Sequence, residues 1–322
     1  MKLFLLKKLL ELIPTFFGIT LIIFFVIHLA PGNPIDSMGT FNPNITSESL
    51  EQMKKIYHLN QPLYIQYIAW LKSILDFNFG ISLVDGRNVM DKVMDRLPVT
   101  VGINVATLIL TFLIGVPIGI ISSLKKNRLI DKFFTFVVFS GYAVPSFWLA
   151  LLLMIAFSVH WHLLPLSGLH SMNVKAGLPY YLDLSKHLIM PIFIGVFGSL
   201  AGISRYVRKG MIDVLDKDFI KLLYAKKIPK RKIIYAHALK NTMLPVITIL
   251  GLSIPGLIGG SVIIESIFAI PGMGQLFYYS ALSRDYPTIM CILTISTILT
   301  LLGNLLADIA YALVDPRIKY EK

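Results

Sequence analysis

Apolar residues in this chain fall in long, nearly unbroken runs, without the alternation of half-buried strands. The runs lie at Leu9–Ala30, Val99–Leu124, Phe133–His160, His187–Tyr206, Met243–Ile264 and Thr288–Val314. Each approaches the roughly 20 residues that cross a bilayer as a helix. Backbone groups in lipid need internal partners, so such runs predict helices and exclude an open sheet. Their continuity also excludes a membrane barrel, whose segments are short and alternating. The pattern predicts an all-α polytopic membrane protein with six transmembrane helices. The third run is long and holds Pro145, which predicts a kink or an earlier start. The second carries Gly115-Val116-Pro117-Ile118-Gly119, and the fifth carries Gly251, Pro255, Gly256, Gly259 and Gly260. Small residues let helix backbones approach closely, which fits plain packing and also the lining of a path.

Polar segments divide the chain into a first helix (1–30), an extracytoplasmic region (31–97), a five-helix core (98–315) and a tail (316–322). The core carries a polar insert at 205–242. The first run is long and ends in Ala30-Pro31-Gly32-Asn33-Pro34 without a small-x-small site, so it reads as a retained helix, not a cleaved signal. In the second region, Ser47 to His58 reads as a helix, with Ser47 and Glu51 near its start. Leu63 to Asp76 reads as another, with Tyr64, Tyr67, Ile68 and Leu71 at helical spacing. Phe77-Asn78-Phe79-Gly80 reads as a turn.

Charge then sets the orientation. The 322 residues are 55% hydrophobic and 15% charged, too few charges for a soluble domain. With the N-terminus inside, 21 of the 30 Lys and Arg fall in segments on the cytoplasmic side and 9 outside. An even number of spans puts both termini in the cytoplasm, in agreement with the positive-inside rule. Anionic headgroups account for the net charge of +12, with no need for nucleic acid. The single cysteine, Cys291, forbids an intramolecular disulfide.

Candidate chemistry is sparse. There is no GxxxxGK[ST] phosphate loop and no GxSxG or HExxH motif. His160, His162 and His170 lie near one helix end and His187 starts the next run. No carboxylate or Cys flanks these histidines closely in sequence, so no metal site is expected there. Ionisable residues within spans are functional candidates. Glu265 is expected to reach the outer interface, and Asp308 to face the cytoplasmic half of the bundle with Asn304. Carboxylates near the membrane midplane are missing, which argues against a stand-alone ion-coupled carrier or membrane enzyme.

The most distinctive stretch is the basic island from Arg205 to Asn241. Met211 to Lys227 can continue as helix until Pro229, and Arg231 to Asn241 can form a second helix. Val214, Leu215, Phe219, Leu222 and Leu223 sit among charges. On these residues alone the face fits a partner's groove or the inner leaflet equally well.

A resemblance separates the two. Asp218 to Lys232 resembles the EAA-type coupling loop of ATP-binding-cassette importers. Further pieces match along the whole chain: Pro31-Gly32-Asn33-Pro34, Leu59-Asn60-Gln61-Pro62-Leu63-Tyr64, Phe79-Gly80-Ile81-Ser82, Arg96-Leu97-Pro98-Val99-Thr100 and Val144-Pro145-Ser146-Phe147-Trp148. Others are Leu164-Pro165-Leu166-Ser167-Gly168, Glu265-Ser266-Ile267-Phe268, Pro271-Gly272-Met273-Gly274, Arg284-Asp285-Tyr286-Pro287 and Asp315-Pro316-Arg317-Ile318. In order and spacing they resemble the B-type permease subunit of dipeptide, oligopeptide and nickel importers.

That resemblance implies a type I importer permease fold in a bacterial inner membrane. The implied partners are a homologous second permease, two ATP-binding subunits and an extracytoplasmic binding protein. ATP and Mg would be bound by partners, with no cofactor in this chain. The implied coupling residues are Asp218, Phe219, Leu222, Leu223, Ala225, Lys226, Lys227, Pro229, Arg231 and His237. The family usually has Ala-Lys-Gly where this chain has Ala225-Lys226-Lys227. Glycine tolerates positive φ, so Lys227 is expected to adopt another geometry or to carry strain. Peptides are the leading expected cargo, and nickel or a nickel chelate is the alternative.

Overall fold

A computed structural model describes residues 2–29 and 61–314. The helical piece expected at 47–58 lies outside them, as do the motifs at 31–34 and 315–318. The long helices are α1 (Lys2–Leu29), α3 (Val89–Leu124), α6 (Leu178–Leu215) and α11 (Tyr286–Val314). Among the described residues these four are long and apolar enough to cross a membrane. Helix α2 (Leu63–Leu75) follows the expected second polar piece, and Phe77 turns the chain at φ 52°. Tyr64 and Ile68 of α2 stay exposed, whereas Tyr67 and Trp70 pack on Phe24 of α1. Helix α3 begins ahead of its apolar run because Asn88 caps it, its side chain accepting from the amides of Met90 and Asp91.

Helices α3 and α6 run side by side in the same direction. Thr107 meets Gly195, Gly115 meets Ile203 and Gly119 meets Val207, so the register advances equally on both. A Cβ on Gly119 would lie 2.6 Å from that of Val207, so only glycine permits this approach. The basic island follows the end of α6, so the ends of α3 and α6 at Leu124 and Leu215 define a basic end of the bundle.

Two of the six apolar runs are not single helices. The third divides into α4 (Leu129–Ala143) and α5 (Ser146–Leu153), which continues as a π-helical turn, Met154–His160. The two halves are bent by 101° and count as a fifth crossing only if taken together. Pro145 is the cause: its ring drives Val144 out of the helical region, to ψ 125°. The fifth run is interrupted as well. Helix α8 (Leu239–Ser253) gives way to a 3-10 turn, Pro255–Leu257. The chain then turns at Gly260, φ 64°, and restarts as α9 (Val262–Ile267), where the Ser261 hydroxyl caps the amide of Ile264. Met243–Ile264 is therefore a helix, a break and a new helix, not one straight span.

That break changes the place of Glu265. It is 4% exposed and does not reach an outer interface. The Thr100 hydroxyl donates to Oε1 at 2.9 Å and the Gln275 amide to Oε2 at 3.0 Å. The Thr100 oxygen in turn accepts from the Met273 amide at 2.8 Å. The carboxylate thus holds the start of α10 (Met273–Leu282), whose free amides favour negative charge. Three of the recurring motifs meet in this one knot.

A second knot joins two others. Asp285, 1% exposed, accepts from the Ser82 hydroxyl at 2.5 Å, the Thr288 hydroxyl at 2.7 Å and the Leu83 amide at 3.1 Å. Lys92 lies 3.4 Å from Asp285 and 3.0 Å from Asp85. A buried charge needs such partners. Burial opposes ionisation of Asp85, but Lys92, Ser82 and the Arg87 amide outweigh it and hold the carboxyl below its ordinary value. The Asp285 knot lies where α3 and α11 begin, and the Glu265 knot at Thr100 farther along α3, both in the half opposite the basic end. Asp308 pairs with Lys8 at 3.1 Å, and Asn304 is exposed.

Candidate functional site

The basic island forms a seated corner. Helix α6 does not continue to Lys227. It stops at Leu215, Lys217 adopts an extended conformation, and α7 (Asp218–Ala225) sets off anew. Asp218 stands in the first turn of α7, where a carboxylate complements the helix dipole. Its 2.8 Å pair with Lys221 is exposed and contributes little.

The end of α7 is a Schellman turn. The Lys227 amide donates to the Tyr224 carbonyl at 2.9 Å and the Ile228 amide to the Leu223 carbonyl at 3.2 Å. Lys227 sits at φ 57°, so it occupies the left-handed position that a glycine fills most easily. Of the two outcomes expected for Lys227, the structure takes the strained one. Pro229 follows at φ −55°, and its carbonyl accepts from the amides of Lys232 and Ile233. A helical turn, Lys230–Lys232, and a π-helical segment, Ile233–Ala238, then lead into α8.

The inner side of the corner is part of the bundle. Ile220 and Ile233 are fully buried, and they share a core with Val207, Met211, Val214 and Ala238. Leu215, Leu223 and Ile228 pack against the same core. Each fully buried aliphatic side chain contributes about 1.5–3 kcal/mol, so the corner is held firmly against α6. The expected apolar face is therefore split. Val214, Leu215 and Leu223 turn inward, while Phe219 and Leu222 point out, 40% and 56% exposed.

The outer side gathers most of the expected coupling residues. Asp218, Phe219, Leu222, Ala225, Lys226, Lys227, Pro229 and Arg231 are all exposed, and Tyr224 joins them. A shallow depression of about 460 Å³ opens between Pro229, Arg231, Lys232, Tyr235 and Ala236. His237 stands apart: it is half-buried, with its Nε2 enclosed and without a hydrogen-bond partner among the described residues. The sequence reading missed Ile220, Ile228 and Ile233 as the residues that seat the corner. Their signal was present, since Ile220 and Leu223 are spaced i, i+3 and Ile228 and Ile233 flank Pro229. Chemically, an apolar ridge of Phe219, Leu222 and Tyr224 rimmed by lysines suits a protein groove with acidic edges.

The histidines gather differently from their sequence spacing. Asp183 stands between His170, at 3.9 Å, and His187, at 3.6 Å, so a carboxylate does flank this pair in space. His170 stacks on Tyr180 with ring centroids 4.1 Å apart. Among the described residues no three potential ligands converge on one point.

Comparison with known proteins bears on the family and the fold. Residues 115–320 match the family described as "Binding-protein-dependent transport system inner membrane component", and residues 1–104 match its N-terminal component. The oligopeptide transport system permease protein AppB of Bacillus subtilis is 41% identical over 318 residues, covering 98% of this chain and 99% of that protein. The dipeptide transport system permease protein DppB of Escherichia coli is 31% identical over 337 residues, covering 99% of each. The oligopeptide transport system permease protein OppB of Haemophilus influenzae is 34% identical, covering 98% of this chain and 99% of that protein. Among solved structures, a chain of the inward-facing MetNI methionine ABC transporter superposes with a TM-score of 0.55 at 16% identity, over 70% of this chain and 97% of that one. At that identity the likeness speaks for the fold alone.

Proposed function

The chain belongs to the family of binding-protein-dependent transport system inner membrane components, and on that premise we propose how it works. It is a multi-pass permease subunit of an ATP-driven importer of dipeptides or oligopeptides. It is a transport component and not an enzyme. ATP-binding subunits and a substrate-binding protein complete the system. Nickel is not favoured as cargo, since relatives that span nearly the whole chain are named as oligopeptide and dipeptide permeases.

The chain crosses a bacterial inner membrane six times with both termini in the cytoplasm, the bent α4–α5 pair and the interrupted fifth run each counting as one crossing. It pairs with a homologous second permease, and the path lies between them. ATP and Mg bind to the partner subunits. The corner from Asp218 to Arg231 docks on one ATP-binding subunit and carries its closure into α6 and the bundle.

One observation supports the coupling role above others. The corner is buried on one side against α6 and exposes Phe219, Leu222 and Tyr224 on the other. A lever needs such a pair of faces. The test is uptake of labelled dipeptide, labelled oligopeptide and nickel by cells with and without the gene. Substitution of Ala225, Lys226 or Pro229 should abolish peptide uptake while the subunit still inserts in the membrane. Unchanged peptide uptake in those variants would refute the coupling assignment, and loss of nickel uptake alone would refute the cargo.

A further inference from the structure

Helix α2 belongs by sequence to a polar segment between two spans, yet it packs along the side of α1. The Tyr67 hydroxyl lies 3.1 Å from Thr20 Oγ1 and donates to the Phe17 carbonyl at 3.3 Å. The rings of Tyr67 and Trp70 lie against Phe24, with centroids 5.4 and 5.9 Å away. Phe24 stands about 7.5 Å inside the end of α1 at Leu29, and Thr20 about 13.5 Å inside it. Half of a bilayer core is about 15 Å thick. The segment Gln66 to Trp70 is therefore level with the apolar half of α1 that lies away from Lys8 and its partner Asp308.

Around its circumference α2 has three sectors. Gln66, Tyr67, Trp70 and Ile74 form the packed face. Next to it, Tyr64, Ile68, Leu71 and Leu75 fall within about 60° of arc. Tyr64, Ile68 and Leu75 are exposed and Leu71 is half-buried. Beyond that stripe lie Lys72 and Asp76, both exposed. The other polar side chains of the helix are bonded within the protein. Gln66 Nε2 donates to the Gln61 carbonyl at 2.8 Å, its Oε1 lies 3.2 Å from His28 Nε2, and the Ser73 hydroxyl donates to the Ala69 carbonyl at 3.1 Å. Hydrocarbon demands such internal partners, whereas water does not. A helix in an aqueous cap would not carry an exposed apolar stripe between its packed face and its charges.

We propose that α2 is an interfacial membrane helix whose stripe of Tyr64, Ile68, Leu71 and Leu75 is seated among the acyl chains of the leaflet opposite the basic end. Lys72 and Asp76 turn to headgroups and water. An apolar face with a charged flank is the pattern of helices that lie in the membrane surface, and Tyr64, Tyr67 and Trp70 are the aromatic types that gather there. At the same level α1 exposes Ile22 and Val26, so the surface beside α2 is apolar on both helices. A protein partner would have to reach the stripe through the lipid around α1. The proposal makes Leu63–Leu75 part of the membrane domain and not of an aqueous cap. It rests on the reading of α1 as a membrane crossing and on nothing about cargo or coupling.

The test uses the intact transporter complex in nanodiscs of phosphatidylcholine and phosphatidylglycerol. Nitroxide labels are placed one at a time on Ile68→Cys, Leu75→Cys and Asp76→Cys of α2 and on Val26→Cys of α1, and the fully buried Cys291 stays unlabelled. Each label's collisions are measured with dissolved oxygen, which concentrates in hydrocarbon, and with a water-soluble paramagnetic chelate. Oxygen should prevail at Ile68 and Leu75 as it does at Val26, and the chelate should prevail at Asp76. Chelate collisions prevailing at Ile68 and Leu75, with Val26 still in lipid, would overturn the proposal alone, since α2 would face water. Poor access of both reagents to Ile68 and Leu75 would also overturn it, because residues 30–60 or a partner chain would then cover the stripe. Chelate collisions prevailing at Val26 as well would remove the crossing of α1 and the proposal with it.

Discussion

Lys227 carries more information than any other residue of the corner at 218–231. It holds φ 57° to complete the Schellman turn, and its side chain is exposed. An L-residue pays about 1–2 kcal/mol to enter the left-handed region. Lys227→Gly should therefore stabilise the turn by about 1 kcal/mol, read as roughly fivefold slower hydrogen exchange at the Ile228 amide. Faster exchange would mean that the lysine makes a favourable contact the strain argument lacks. At the opposite end, Asp285 faces a Lys92 that is 10% exposed. Asp285→Ala takes one of two carboxylates from that ammonium, the other being Asp85, and leaves the buried Ser82 and Thr288 hydroxyls without their acceptor, at a cost of about 3–5 kcal/mol. A large fall in thermal midpoint is expected, and a shift of only a degree or two would refute the clasp. Acid tests the same knot. The folded pKa of Asp85 lies below its ordinary value of 3.8. Its contribution is thus present above 3.8 and lost only as pH falls through the lower folded value. Protection of the Leu83 amide from exchange, corrected for intrinsic rate, should be flat from about pH 5 to 8. A fall within that window would contradict the assignment.

At the scale of elements, the proposed coupling requires that the inner side of the corner holds. Ile220→Ala removes a fully buried side chain and should cost about 2–5 kcal/mol. The expected result is more than tenfold loss of ATP-dependent uptake with the ATP-binding subunits still able to hydrolyse ATP. Normal uptake would show that the seating on α6 is not what transmits the stroke. Elements are also where sequence and structure part most clearly. Pro145 announced its break, because proline removes a donor and excludes the helical region before it. The Pro229 turn was equally legible. The interruption after Ser253 was not, because hydropathy averages over a window and a run stays apolar whether or not its helix is continuous. Glu265 was misplaced for the same reason: only the break folds it back onto Thr100 and the start of α10. The inward turn of Leu223 was hidden too, since α6 stops at Leu215 and the phase of α7 starts afresh.

At the scale of the whole molecule, the recurring motifs have a physical explanation that their sequence positions do not reveal. Ser82 meets Asp285, Thr100 meets Glu265, and the Gly168 amide donates to the Phe268 carbonyl at 2.7 Å. Each contact joins segments far apart in the chain, so no local pattern could forecast it. The membrane class and the helices were readable because lipid imposes length and apolarity directly. The orientation rests on charge, and labelling tests it. Cys291 is fully buried, so cysteines introduced at exposed Val84 and Lys226 can be labelled separately. An impermeant maleimide added to intact spheroplasts should modify position 84 and spare 226, and the reverse pattern would invert the topology.

The coupling claim is tested most directly by a cross-link. With a cysteine in place of Leu222, a bifunctional maleimide in inverted membrane vesicles should join this subunit to its ATP-binding partner. The account predicts an adduct of those two chains whose yield changes when ATP is added. Efficient labelling at position 222 with no adduct, with or without ATP, would contradict it.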